Sequence, residues 1–296
     1  MNRLLSILPR FIVAIVSLGL SAEAADADTV TNFPVADTGL QKANPTLNFG
    51  SSLDLVSGGL GSNSGFDVRR ILLKFDFSGQ IPPQAVINSA TLTVNVIDHL
   101  PGGGTGPDST FGLRRVLQDW SETEATWNNW SSLNAWNSPG AAGAGDSISA
   151  ASSTVFVSGL GSYVFPSTAA LVADAQDWVA SPGTNFGWLL MNESEAPQTA
   201  RHFASREDPV NTPYIVVDYS LPPPALVISG CTLVGGLLRF SFNAQSNQTY
   251  GIQFRSFRTG EAWSTLTNFA AQPLDTVITF SEPLTSSNRC YRVRTP

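Results

Sequence analysis

The stretch "RRILLKFDF", residues 69–77, alternates side chains along most of its length. Ile71, Leu73, Phe75 and Phe77 fall on one side of an extended chain, and Arg70, Leu72, Lys74 and Asp76 on the other. That period of two predicts a strand with one face turned to a core. The same kind of run recurs on both sides of it: "SLDLVS" (52–57), "SATLTVNVIDH" (89–99), "FGLRRVL" (111–117), "TVFVSGL" (154–160), "FGWLLMN" (186–192), "ARHFASR" (200–206) and "YIVVDYS" (214–220). Glycine and proline clusters such as "PGGGTGP" (101–107) separate these runs. Many short strands without βαβ alternation predict an all-β chain, an antiparallel, jelly-roll-like β-sandwich. One segment breaks the pattern. In "STAALVADAQDWVASPG", Leu171, Val172, Ala175, Trp178 and Val179 share a helical face, Ser167 is the expected N-cap, and "SPG" at 181–183 ends the helix.

The sandwich is expected over residues 30–220. A proline-rich linker at 221–226, within "SLPPPAL", favours an extended spacer before a small module at 227–296. Charge changes sign across it. Residues 25–224 carry 8 basic and 19 acidic side chains, net −11, whereas residues 225–296 carry 6 and 3, net +3. In the small module "LLRFSFNA", "TYGIQFRS", "WSTLTNF", "DTVITFS" and "CYRVRT" alternate, which predicts a compact immunoglobulin- or fibronectin-like β-sandwich.

Residues 1–24, "MNRLLSILPRFIVAIVSLGLSAEA", combine a basic start, an apolar run and a small-x-small end. They read as a secretory signal peptide cleaved near Ala24, so an extracellular protein is expected, with no later run long enough for a membrane span. In that compartment Cys231 and Cys290, near the two ends of the small module, are expected to form a disulfide worth about 4 kcal/mol. The acidic main body disfavours nucleic acid, whose phosphates need a basic surface.

The densest chemistry lies in "DWSETEATWNNW", residues 119–130. With Trp136 it gathers Trp120, Trp127 and Trp130 beside Asp119, Glu122 and Glu124. Indole rings beside carboxyls suit a sugar-cleaving site, where stacking holds the ring and a carboxyl pair does acid–base work. The same residues equally suit a packed surface corner, with Ser and Thr hydroxyls for local capping.

Five phrases in order add to this reading: "ADTGLQKANPTLNFGSSLDLV", "RRILLKFDFSGQIPPQAVINSATLTVNV", "DWSETEATWNN", "VADAQDWVASPGTNFGWLL" and "FASREDPVNTPYIVVDY". Over about residues 35–220 they resemble the DNRLRE-type domains grouped with carbohydrate-binding module family 96. The resemblance implies an antiparallel β-sandwich of secreted bacterial proteins. It also implies non-catalytic polysaccharide binding, with acidic glycans such as alginate as the ligand type. It makes "DWSETEATWNN" a signature of fold. The chain departs from such domains in its strongly acidic large domain.

The residues expected to contact a glycan are Arg70 and Lys74, for a carboxylate; Trp127, for stacking; and Arg201, His202 and Arg206 in "ARHFASRED". Each has a structural alternative in a salt bridge or a packed position. Two histidines and no third cysteine give no transition-metal set, and no cofactor fingerprint is present. The oxygen-rich loops "DTGLQKANPTLN" and "GSNSGFD" suit a structural calcium without EF-hand spacing. The functions in competition are therefore a secreted polysaccharide-binding protein, a structural or adhesive surface protein, and a polysaccharide lyase or glycosidase.

Overall fold

The computed structural model describes residues 27–98, 106–222, 226–256, 262–283 and 289–295. The leader at 1–24, His99 and most of the glycine loop at 101–107 lie outside the described residues. The chain divides into two compact units, and the break falls between Pro222 and Pro223.

The large unit holds β1 (Ala27–Asn32), β2 (Pro34–Gln41), β3 (Asp54–Gly59), β4 (Val68–Phe75), β5 (Val86–Asp98), β6 (Ser109–Arg115), β7 (Asn129–Ser131), β8 (Asn134–Ala135), β9 (Ser153–Val157) and β10 (Gly161–Phe165). The helix α1 (Ala169–Ala180) follows, then β11 (Trp188–Asn192), β12 (Arg201–Ala204) and β13 (Tyr214–Ser220). All ladders are antiparallel. One sheet is centred on β5. Its one edge pairs with β13 and then, further along, with β12; its other edge pairs with β10; and β1 is added outside β13. The other sheet joins β2 and β11 to β4, then β6 to β11 and β9 to β6. The strand β3 belongs to both. Residues Asp54 to Ser57 pair with β12, and Gly58 and Gly59 pair with β4. Strands that switch sheets in this way make the corners of a sandwich. Gly58 makes the switch at a φ of 116°, where an added Cβ would stand 2.7 Å from the Cα of Ala200.

The main core lies where the alternation placed it. Ile71, Leu73, Phe75, Trp188 and Phe111 from one sheet meet Leu92, Val94, Val96, Phe203 and Ile215 from the other. The helix adds Leu171, Ala175 and Trp178, and Trp178 packs on Trp188 with ring centroids 4.5 Å apart. Its N-cap is Thr168, whose Oγ1 accepts from the Leu171 amide at 3.0 Å. Ser167, the expected cap, instead accepts from the Ala90 amide of β5. The helix also carries a feature that its apolar pattern does not announce, the buried Asp174, which accepts from Trp188 Nε1 at 2.8 Å and from the Ser152 hydroxyl.

The opposite side of β4 is not a solvent face. Leu72 is buried there with Leu40, Leu189 and Met191 of neighbouring strands, under Trp120, Ala125, Trp127, Trp136 and Ala141. Residues 117–150 thus form a cover with its own small core. Two of its indoles are hydrogen-bonded: Trp120 Nε1 donates to the Phe186 carbonyl just before β11 at 2.8 Å, and Trp136 Nε1 to that of Thr126 within the cover at 2.9 Å. Asp146 ties it internally, accepting from the amides of Asn137 and Ser138 at 2.8 Å each.

In the small unit β14 (Ile228–Val234), β15 (Leu237–Ala244) and β18 (Thr276–Pro283) form one antiparallel sheet. The strands β16 (Tyr250–Ser256), β17 (Ser264–Phe269) and β19 (Arg289–Arg294) form a second. Phe240, Phe242, Tyr250, Ile252, Phe280, Tyr291 and Val293 make its core. The expected Cys231–Cys290 disulfide is absent, and both are free thiols. The ladder of β14 with β15 skips Gly230 and Cys231, a bulge that leaves Cys231 exposed, while Cys290 is buried on β19 in the other sheet.

Candidate functional site

The cover decides where a ligand can sit. The β4 sheet is roofed on its outer side, so among the described residues of the large unit the sheet face without a roof is the outer side of β1, β13, β5 and β10. Alternation along β13 buries Ile215, Val217 and Tyr219 and turns Tyr214, Val216 and Asp218 outward. Registers then build rows across the strands. Tyr214 stands opposite Thr93, and Thr93 opposite Val164. Phe33 follows the Asn32–Ile215 pair and lies against Tyr214, with ring centroids 6.5 Å apart. Phe33 is 54% exposed. The row crosses four chain segments, roughly 14 Å: Phe33 and Val164 are exposed, Tyr214 is half-buried, and Thr93 between Tyr214 and Val164 is buried.

Polar rows flank it. On one side, beyond Thr31, Val216 and Thr91, Asp218 accepts from the hydroxyls of Thr29 and Ser89 at 2.7 Å each. Those two bonds hold the Asp218 carboxyl below the usual range. On the other side the Ser162 hydroxyl donates to Asn95, whose amide donates to the Asn211 carbonyl at 2.8 Å. An aromatic strip between ordered hydroxyls and amides is suited to a pyranose chain, whose faces are apolar and whose edges carry hydroxyls.

The six residues expected at a site are dispersed. Arg70 and Trp127 do meet. The guanidinium lies 5.0 Å from the indole centroid, donates to Glu195 Oε1 at 2.6 Å and Oε2 at 2.9 Å, and also donates to the Gly140 carbonyl. Gly140 turns there with a φ of 90°, where a Cβ would lie 2.6 Å from the guanidinium. Trp127 is 8% exposed. This pair locks the cover to β4. Lys74 pairs with Asp119 at 3.5 Å at another margin of the cover. Arg201, only 2% exposed, donates to the carbonyls of Ala200 at 2.9 Å, Pro107 at 2.9 Å and Gly106 at 3.1 Å, and burial lowers its pKa. His202, its neighbour on β12, pairs through Nδ1 with Asp54.

Arg206 enters a different cluster. Its Nε pairs with Glu122 at 2.6 Å and Glu207 at 3.0 Å, and its amide donates to Asp37 Oδ2 at 2.7 Å. The carboxylates of "DWSETEATWNNW" are thereby separated: Asp119 serves Lys74, Glu122 serves Arg206 and the Asp37 amide, and Glu124 accepts from the Ser132 amide at 3.0 Å. Asp37 is fully buried, and burial, with Glu207 and Glu122 nearby, raises its pKa to about 7.

That value sets an expected pH dependence in chelating buffer. The folded state keeps a proton on Asp37 that the unfolded chain releases near the ordinary value of 3.8. The contribution of Asp37 is therefore fully present below about pH 4 and is lost as pH rises to about 7. Urea midpoints at pH 5 and pH 8 should show this fall in the native chain, and Asp37→Asn should flatten it. An equal slope in the variant would assign the effect to another group.

The small unit has a contrasting face. Arg255 and Arg292 lie over the Trp263 ring at 4.7 and 4.3 Å, and Arg294 adds a like charge that lowers the Arg292 pKa after burial.

These features define an all-β sandwich with one open, aromatic-centred face. Residues 28–137 match the family model of carbohydrate-binding module family 96. The resemblance read from the first three sequence phrases is thus shown over that span, which takes in Phe33 and the whole tryptophan stretch. No curated protein matches the chain. The residues of the open face escaped the sequence reading because residues 27–41, broken by Pro34 and Gly39, carry no alternation strong enough to mark β1 and β2. The alternation of "YIVVDYS" was the signal available for Tyr214 and Asp218.

Proposed function

We propose that the large unit is a non-catalytic, polysaccharide-binding module of a secreted protein, and that the glycan lies across Phe33, Tyr214 and the polar rows beside them. The observation that carries this reading is the contact of the exposed Phe33 with the half-buried Tyr214 on the sheet face that the cover leaves open. Sugar rings stack on the aromatic strip while Thr29, Ser89, Asp218, Asn95 and Ser162 bond hydroxyls. These groups stand on paired strands, so little ordering accompanies binding.

Neutral glycans fit better than the alginate-like ligand that the resemblance implies. Arg70, Arg114, Arg115, Arg206 and Arg69 each pair with a carboxylate, and Arg201 is buried among carbonyls. The face itself carries Asp218 and no cation in the rows described. The absence of catalysis is supported by the dispersal of the Trp-corner carboxylates and by the complete burial of Asp37, the carboxyl with a pKa near neutrality. The secreted location rests on the leader sequence at residues 1–24.

Affinity electrophoresis of the chain through xylan, laminarin, alginate and pectin, with product release followed, tests the reading. Retardation by xylan or laminarin without cleavage is expected. Cleavage would overturn the non-catalytic assignment. Retardation by alginate alone would move the site to Arg255, Arg292 and Arg294 of the small unit. No retardation in any gel would favour a structural or adhesive role.

A further inference from the structure

We propose that Asp37, Glu122 and Glu207 form a calcium site that joins β2, the cover at 117–150 and the segment after β12. Each residue offers a carboxylate oxygen, and the three oxygens lie within 4.8 Å of one another. Calcium takes oxygen ligands at about 2.3–2.6 Å, so ligands on opposite sides of one ion stand about 5 Å apart. The spacing fits.

Hydrogen bonding points the same way. Asp37 is fully buried, and its Oδ1 meets no donor; Glu207 Oε2 is likewise buried without one. A buried carboxylate oxygen left unpaired is costly; in chelating buffer the proton on Asp37 relieves it, and bound calcium would take that proton's place. Three of the other four oxygens are committed. Asp37 Oδ2 accepts from the Arg206 amide at 2.7 Å, Glu122 Oε1 from Arg206 Nε at 2.6 Å, and Glu207 Oε1 lies 3.0 Å from the same Nε. A single guanidinium thus faces three carboxylates, and the two unpaired oxygens remain for a further positive charge. The donors are all hard oxygens, with no imidazole or thiolate in the cluster, which favours calcium over zinc or copper. Water and carbonyl oxygens would fill the remaining positions of a flexible shell. The three residues come from distant parts of the sequence, so the unfolded chain cannot preassemble the site and calcium binding adds to folding stability.

The test uses the full chain with calcium chloride alone. Equilibrium dialysis should find a single calcium bound, and thermal unfolding should occur at higher temperature in calcium than in EDTA. Glu207→Gln should weaken uptake by at least about tenfold. Asp37→Asn should do the same yet melt in EDTA at or above the wild type, because the amide keeps an acceptor for the Arg206 N–H and gains a donor toward the carboxylates. No uptake by folded wild-type chain at millimolar calcium would overturn the site. Uptake unchanged in both variants would overturn it too, and an equal stabilisation by magnesium would contradict the choice of ion.

Discussion

Trp127→Ala should lower folding stability by about 3–5 kcal/mol, as expected for truncation of a buried indole, and leave the glycan affinity of the folded fraction unchanged. The side chain fills the small core between the cover and β4, against Leu72 and Leu189. It also supplies the ring on which the Arg70 guanidinium rests, at 5.0 Å. Loss of the ring exposes the Arg70–Glu195 pair to water, where such pairs contribute about 0–1 kcal/mol. Chemical denaturation measures the stability, and affinity gels at a temperature where the variant is folded measure the binding. A variant of native stability that no longer binds glycan would return Trp127 to the ligand site and remove the cover from the account.

Asp174→Ala should be of similar size, about 3–5 kcal/mol, although it deletes only a small polar side chain from a helix of otherwise apolar inner face. Its carboxylate accepts from Trp188 Nε1 at 2.8 Å and from the Ser152 hydroxyl, and lies 3.3 Å from Arg115. Alanine leaves two donors in the interior with no acceptor, and the cost is that of desolvating them. Both donors meet Oδ2, so Asp174→Asn with its carbonyl oxygen there keeps both, loses only the charge that faces Arg115, and should cost less. Arg115→Ala should lose less again, because the guanidinium is partly exposed and has a second partner in Asp177 at 2.7 Å. A loss below about 1 kcal/mol for Asp174→Ala would show that water reaches these groups and that α1 is not sealed onto the core.

The strands with regular alternation could be read directly from the chain, because burial of one face imposes the period. "YIVVDYS" coincides with β13, and "LLRFSFNA" with β15. The strand at 68–75 shows the limit of that logic. Its inner face followed the alternation, but Leu72 on the other face is buried by a cover supplied from 45 or more residues further along. Local periodicity registers only one layer of partners. The site was less legible for a related reason. Arginines stand out in an acidic chain, and each finds a carboxylate far away in sequence, as Arg70 finds Glu195 across 125 positions. Phe33 and Tyr214, at opposite ends of the large unit, become neighbours only through the β1–β13 register. Asp174 was hidden because a polar residue at an inward helical position reveals no partner until β11 delivers Trp188.

The most direct measurement compares the wild-type chain with a Phe33→Ala, Tyr214→Ala double variant in affinity gels of whichever glycan retards the wild type. Phe33 is exposed and Tyr214 half-buried, both outside the core between the sheets, so the unfolding midpoint should change little. Loss of two stacking platforms should weaken binding at least about tenfold, a change of about 1.4 kcal/mol. Retardation undiminished in a folded double variant would place the glycan elsewhere and contradict the open sheet face as its site.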